Sequence, residues 1–235
     1  MHILGGIVLV ILCISCPAVG FSMILRGVAL IDRDGVINKD VGPPGVLEPN
    51  QLELTPNAGD AISLLNDLGF KCCVITNQSC VGKGLISEAE LVSIHDILKE
   101  LLLEQNPNAK LHDIFYCTSL NNSVDPRMKP YPGMIFEACQ KYNVTPNECF
   151  MIGDSIRDLV AAASAGVPLR ILVETGYGRI VMNNHTAPEQ GLECIDSHVI
   201  SLDNSSIFPF YYGKNLYESA KWISTRPLSN IYFNH

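Results

Sequence analysis

The sequence is poor in basic residues. It carries 16 Lys and Arg against 24 Asp and Glu, a formal net charge of −8, and the cations are nowhere clustered. A surface that tracks a nucleic-acid backbone needs such a cluster, so no nucleic-acid partner is expected. A small anion, which needs only a few local donors, stays open as a ligand. Paired C-x-x-C sets with metal spacing are also missing. Of nine cysteines, Cys13 and Cys16 form the lone C-x-x-C, inside a hydrophobic leader. Others sit in apolar runs such as KCCVIT and ECFMIG, where reduced, buried thiols act as small core residues. No internal repeat or low-complexity tract occurs. What is there is 47% apolar and 17% charged residues over 235 positions, the composition of a globular chain long enough for one well-buried domain with a small addition.

Near the N-terminus, HILGGIVLVILCISCPAVG lacks the Lys or Arg that usually opens a signal peptide. Its length and the small residues Ala18-Val19-Gly20 suit a secretory or anchor segment. The alternative is that residues 1–22 are an over-extended start and Met23 opens the domain. The expectation is a cytoplasmic protein, with secretion or a membrane contact as the alternative if the leader is retained. Five N-x-S/T sequons begin at Asn77, Asn121, Asn143, Asn184 and Asn204, and the first falls within a motif assigned below to the site.

After the leader, strand and helix patterns alternate. GVALID, KCCVIT, DIFYCT, CFMIGD and LRILVET read as near-continuous apolar strands. Between them, TPNAGDAISLLNDLG, SEAELVSIHDILKELLLEQ, PGMIFEACQKYN and SIRDLVAAASAG read as helices, the second opened by a Ser87/Glu90 capping box. The pattern predicts an α/β fold of βαβ units, with a mainly parallel sheet and right-handed crossovers. A core over residues 23–180 and a C-terminal extension over 181–235 packing on it are expected. In the extension, VISL reads as an edge strand, NLYESAKWIST as a closing helix, and residues 183–193 and 203–214 as loops. Neither interval between the strand-end motifs is long enough for a large cap domain. The loops 39–50, 80–86 and 118–128 are the candidate covers.

Ligands of such sheets bind beyond the carboxyl ends of the strands. There the chain places Asp32-Arg33-Asp34-Gly35, then Thr76-Asn77-Gln78-Ser79, then Gly153-Asp154-Ser155, with Asp158 a helical turn on. Any one of these alone is ordinarily a turn or a helix cap. Together, Asp32, Asp34 and Asp154 form a set of hard oxygen donors that suits Mg²⁺ shared with a substrate phosphate. One of the first two carboxylates can then attack phosphorus while the other shuttles a proton. Thr76, Asn77 and Lys129 supply donors for phosphoryl oxygens.

IDRDGVIN, TNQS, KPYPGM and GDSIRDLVAAASAG resemble the four motifs of the haloacid dehalogenase superfamily, over roughly residues 26–176. Within it, DRDGVIN with TNQS and K-P-x-P-G-M resembles the heptose-bisphosphate phosphatase and histidinol-phosphatase group. The resemblance implies a three-layered, Rossmann-like α/β fold and a Mg²⁺-dependent phosphomonoesterase that works through an aspartyl-phosphate on a small phosphorylated metabolite, foremost a sugar bisphosphate. Histidinol phosphate, another small phosphoester, or a non-catalytic phosphate-binding module are the alternatives. By motif, Asp32 is the nucleophile and Asp34 the general acid/base. Thr76 and Asn77 bind phosphate, and Lys129 balances its charge. The Asp32 and Asp154 carboxylates, with the Asp34 backbone carbonyl, bind the metal. The group commonly carries Arg directly before the lysine. Here Met128 stands there and Arg127 one step earlier, and Arg127 is carried as a substrate contact. The group's zinc loop is reduced to a lone Cys117 with no His after it, so no zinc is expected.

Overall fold

A computed structural model describes residues 26–120, 124–196 and 207–226. The leader and VISL lie outside these residues. The chain runs β1 (Gly27–Ile31), α1 (Ala58–Asp67), β2 (Phe70–Asn77), α2 (Ser79–Gly82), α3 (Glu88–Gln105), β3 (Leu111–Cys117), α4 (Gly133–Tyr142) and β4 (Cys149–Gly153). It continues through α5 (Ile156–Ala165), β5 (Leu169–Val173), α6 (Gly178–Val181), β6 (Leu192–Ile195), β7 (Phe210–Gly213) and α7 (Leu216–Ser224). All five strands and all four helices expected before residue 176 form, with ends shifted by up to three residues.

The strands make one sheet in the order β3-β2-β1-β4-β5-β7-β6, parallel except for the antiparallel edge strand β6. The apolar runs follow from burial on both faces. Along β1, Ala29 and Ile31 face a core formed with α1, α3 and α7, while Val28 and Leu30 face a second core formed with α4 and α5. That is the period-two alternation of a strand covered on each side. β1 lies in the middle, hydrogen-bonded to β2 on one flank and β4 on the other. The chain therefore leaves β1 between the two strands that carry the other polar motifs.

Two stretches depart from the sequence reading. Residues 192–193, at the end of one expected loop, begin the strand β6, and residues 210–213, within the other, are the strand β7. Each has only four residues, too few for a periodic signal. β7 is a strand because it docks in parallel beside β5, with Tyr212 opposite Leu172. The closing helix is observed as α7. Its Leu216, Ala220, Trp222 and Ile223 share the core that α1 and α3 line. Among the described residues no helix is long and apolar enough to cross a membrane.

The segment after Asp34 is tied down before α1 begins. The buried Thr55 hydroxyl donates to the Val36 carbonyl at 2.7 Å and lies 3.1 Å from that of Ile37, and Thr55 N–H donates to Ile37 at 2.8 Å. Thr55→Val leaves the Val36 carbonyl buried without that donor. It is expected to cost about 1–3 kcal/mol, read as a lower urea midpoint at an unchanged m-value.

Candidate active site

The polar strand ends meet in a cleft of about 550 Å³. Asp32, Asp34, Thr76, Asn77, Lys129 and Asp154 all line it. Arg127 does not; its Nε pairs with Glu137 at 2.9 Å. The loop 39–50 supplies Asp40 and Gly42–Gly45 to an adjoining recess, and the segment after β2 supplies Ser79 and Lys83.

Lys129 is the hub. It is 4% exposed, and its Nζ donates to the Ile75 carbonyl at 2.7 Å and forms ion pairs with Asp32 Oδ1 at 2.8 Å and Asp158 Oδ1 at 2.6 Å. The ammonium thus sits among three oxygens. Burial works to lower its pKa, but the Asp158 and Asp32 carboxylates outweigh burial and push it up, so the lysine stays charged. Asn77 fixes the same residue by its backbone. Its Oδ1 accepts from Lys129 N–H at 3.0 Å, and its Nδ2 donates to the Lys129 carbonyl at 2.9 Å. The Asn77 amide therefore anchors the lysine loop, and one of its two Nδ2 protons remains for a ligand in the cleft it lines. Thr76 is differently placed: its Oγ1 accepts from Gln78 Nε2 at 2.9 Å, which leaves its own proton available.

Asp158 caps α5, accepting at Oδ2 from the Ser155 N–H and hydroxyl, and is fully buried. Its other oxygen holds Lys129. The sequence singled it out only as a neighbour of the motif, and the structure gives it a definite partner. Asp32 and Asp154 complete the acidic group: one oxygen from each of Asp32, Asp154 and Asp158 lies within 4.8 Å of the others. Three carboxylates against one ammonium leave two negative charges uncompensated. Burial, with the neighbouring carboxylates, accordingly pushes Asp32 and Asp154 well above the usual carboxylate range. Asp32 Oδ1 is taken by Lys129 and Arg33 N–H, and Asp154 Oδ2 by Tyr177 N–H at 2.9 Å. Among the described residues, the second oxygen of each has no protein donor. Two free carboxylate oxygens with surplus negative charge fit a hard divalent cation by donor type and by charge.

The position of Asp154 depends on two glycines with left-handed backbone, Gly35 (φ +78°) and Gly176 (φ +59°). A Cβ on either would overlap Asp154 Oδ2. Gly176, in the turn after β5, carries no motif and was missed in the sequence.

Asp34 sits in a different environment. Oδ1 accepts from Arg33 Nε (3.2 Å), Arg33 Nη2 (2.9 Å) and Asn38 Nδ2 (2.9 Å). Oδ2 accepts from Arg33 Nη2 (2.8 Å) and Gln78 Nε2 (2.9 Å). Burial raises its pKa, but Arg33, Asn38 and Gln78 outweigh burial and hold the carboxyl below its ordinary value. Asn38 and Gln78 lie inside the quoted motifs IDRDGVIN and TNQS, yet their role could not be read from spacing. Behind Arg33 stands His95, from the buried face of α3. No sequence signal marked it.

The two glycine contacts differ from ordinary left-handed positions. Gly84 has φ +70° but open space around it, so Gly84→Ala is expected to lose only the backbone strain, about 1–2 kcal/mol. Gly176→Ala must also displace Asp154. Its urea midpoint is expected to fall clearly further than that of Gly84→Ala in the same experiment.

A family model described as haloacid dehalogenase-like hydrolase matches residues 31–166. The chain is 34% identical over 167 residues to the D-glycero-beta-D-manno-heptose-1,7-bisphosphate 7-phosphatase of Bordetella bronchiseptica, covering 71% of this chain and 91% of that protein. It is 33% identical over 157 residues to the D-glycero-alpha-D-manno-heptose-1,7-bisphosphate 7-phosphatase of Photorhabdus laumondii, covering 64% and 84%. Among solved structures, the D,D-heptose 1,7-bisphosphate phosphatase of B. bronchiseptica in complex with magnesium and phosphate superposes with a TM-score of 0.70 at 28% identity. That match covers 85% of this chain and 98% of the other. The fold, the acidic cluster on its central strands and these likenesses agree, and the chain belongs to the haloacid dehalogenase-like hydrolases.

Proposed function

We propose that this chain is a metal-dependent phosphomonoesterase that acts through an aspartyl-phosphate on a small phosphorylated sugar, foremost a heptose bisphosphate. The observation that carries the reading is the pairing of two aspartates in opposite states over one cleft. Asp32 has one oxygen held by Lys129 and one free, while Asp34 is an ionised, donor-saturated carboxylate two residues on. One is placed to attack, the other to exchange a proton. The bisphosphate follows from the relatives' named substrates.

The free oxygen of Asp32 attacks phosphorus, the ester P–O bond breaks, and the leaving alkoxide takes a proton that the Asp34 carboxylate has first taken up from solvent. Asp34, now the base, removes a proton from water, which attacks the phosphorus of the aspartyl-phosphate and frees inorganic phosphate and Asp32. The Thr76 hydroxyl donates to a phosphoryl oxygen, and Lys129 offsets the charge on Asp32 and the phosphoryl group. Asn77 contributes by holding the Lys129 backbone. Mg²⁺, held by the Asp32 and Asp154 carboxylates and the Asp34 carbonyl, would neutralise the phosphoryl oxygens and let nucleophile and phosphate approach.

Phosphate release from heptose and hexose bisphosphates, histidinol phosphate and nucleotides, with Mg²⁺ or with EDTA, tests the reading. Asp32→Asn is expected to lose turnover by at least ~10³-fold, as for removal of a covalent nucleophile. EDTA is expected to silence the wild type. No release from any compound by folded, Mg²⁺-loaded protein would overturn the assignment. Independently of turnover, Mg²⁺ is expected to raise the melting temperature of the wild type, since a ligand of the native state stabilises it by mass action. Asp154→Asn should largely abolish that rise.

A further inference from the structure

Arg33 is fully buried, and all three of its nitrogens have partners. Nε and Nη2 donate to the Asp34 carboxylate, Nη2 to both of its oxygens, and Nη1 lies 3.2 Å from His95 Nε2. A guanidinium can only donate, so His95 Nε2 accepts and the imidazole is the neutral tautomer with its proton on Nδ1. His95 is itself buried, on the stripe Leu91, Ile94, Leu98 and Leu102 with which α3 faces the core, and its ring lies against Tyr116 at 5.4 Å between centroids. An apolar residue would fill this place equally well if packing were the only requirement. The position instead holds an acceptor aimed at the back of the cation that grips Asp34.

Geometry gives that acceptor a use. The guanidinium is planar, so fixing Nη1 on one edge fixes the plane in which Nε and Nη2 present themselves on the other. Without His95, Arg33 could pivot about its pairing with Asp34, and the carboxylate would pivot with it. We propose that His95 is a positioning residue for proton transfer at Asp34, acting through Arg33 to fix the carboxylate that protonates the leaving group. This rests on the phosphatase reading above.

The proposal is tested by the dependence of the reaction on its leaving group. A sugar alkoxide needs a proton as it departs; p-nitrophenolate does not. Because kcat/KM reports only the steps up to departure of the leaving group, it isolates this proton from the later action of Asp34 on water. The two substrates are p-nitrophenyl phosphate and whichever sugar phosphate of the panel the wild type turns over fastest. His95→Phe keeps a ring against Tyr116 and removes the acceptor. It is expected to lower kcat/KM for the sugar phosphate about tenfold or more, a fraction of the ~10²–10⁴ that general acid–base catalysis contributes. For p-nitrophenyl phosphate the change should stay within about threefold on the same reasoning. His95→Gln, whose amide oxygen can accept from Nη1, is expected to restore most of the difference. If His95→Phe does not fold, His95→Met, with only a weak sulfur acceptor, carries the same comparison. Equal losses on both substrates, or no loss on the sugar phosphate, in a variant whose circular dichroism and melting curve remain native, overturn the proposal and leave His95 structural. The two readings fail separately. A wild type that hydrolyses no sugar phosphate sinks the phosphatase reading and this one with it. A competent wild type with an unchanged substrate ratio in the variants sinks this one alone.

Discussion

Lys129 holds the site together by charge. Its ammonium joins the Ile75 carbonyl on β2, Asp32 beyond β1 and Asp158 on α5, so one buried cation locks three elements that the chain reaches at widely separated points. Without it, the three neighbouring carboxylates would have no permanent counter-charge, and burial would drive them to protonate. With it, two of them are only partly compensated. A structure built for stability alone would complete the neutralisation within the protein. This one leaves charge and free oxygens directed at the cleft, as suits a group that arrives from solution.

Around the two aspartates of β1 the protein builds two unlike environments two residues apart. Asp32 is paired with Lys129 and faces the carboxylates of Asp154 and Asp158. Asp34 is saturated by donors from Arg33, Asn38 and Gln78. Division of labour between like groups needs such a contrast, because two identical carboxylates in identical settings would compete for one proton. Much of the contrast comes from Arg33, the residue between the two aspartates. It is written into the motif but silent there, since its function depends on being buried and on having His95 behind it.

That difference marks how far the sequence could be read. The strands up to residue 173 were legible because burial on both faces turns them into apolar runs, and the meeting of the polar strand ends was legible because parallel strands deliver their carboxyl ends to one edge. Asn77 has a part that spacing could not show: its amide grips the Lys129 backbone. Arg127, named for the cleft, is paired with Glu137 outside it. β6 and β7 were unreadable because their strand character comes from a neighbour. His95 and Gly176 were unreadable because each matters through a contact distant in sequence, with Arg33 in one case and Asp154 in the other.

The sheet order has a consequence for how such a site can change. Asp32 and Asp154 issue from β1 and β4, adjacent parallel strands in which Ile31 lies opposite Ile152, and Asp32 N–H donates to the Ile152 carbonyl at 2.9 Å. The backbones that carry the two carboxylates are therefore set apart by the interstrand spacing, about 4.8 Å, a dimension common to every β-sheet. The reaction centre inherits a fixed gauge from the backbone. The loop 39–50 and the turn after β2, which wall the adjoining recess, belong to no such gauge. They are free to be rewritten for a different leaving group while the chemistry stays where the hydrogen-bond lattice set it.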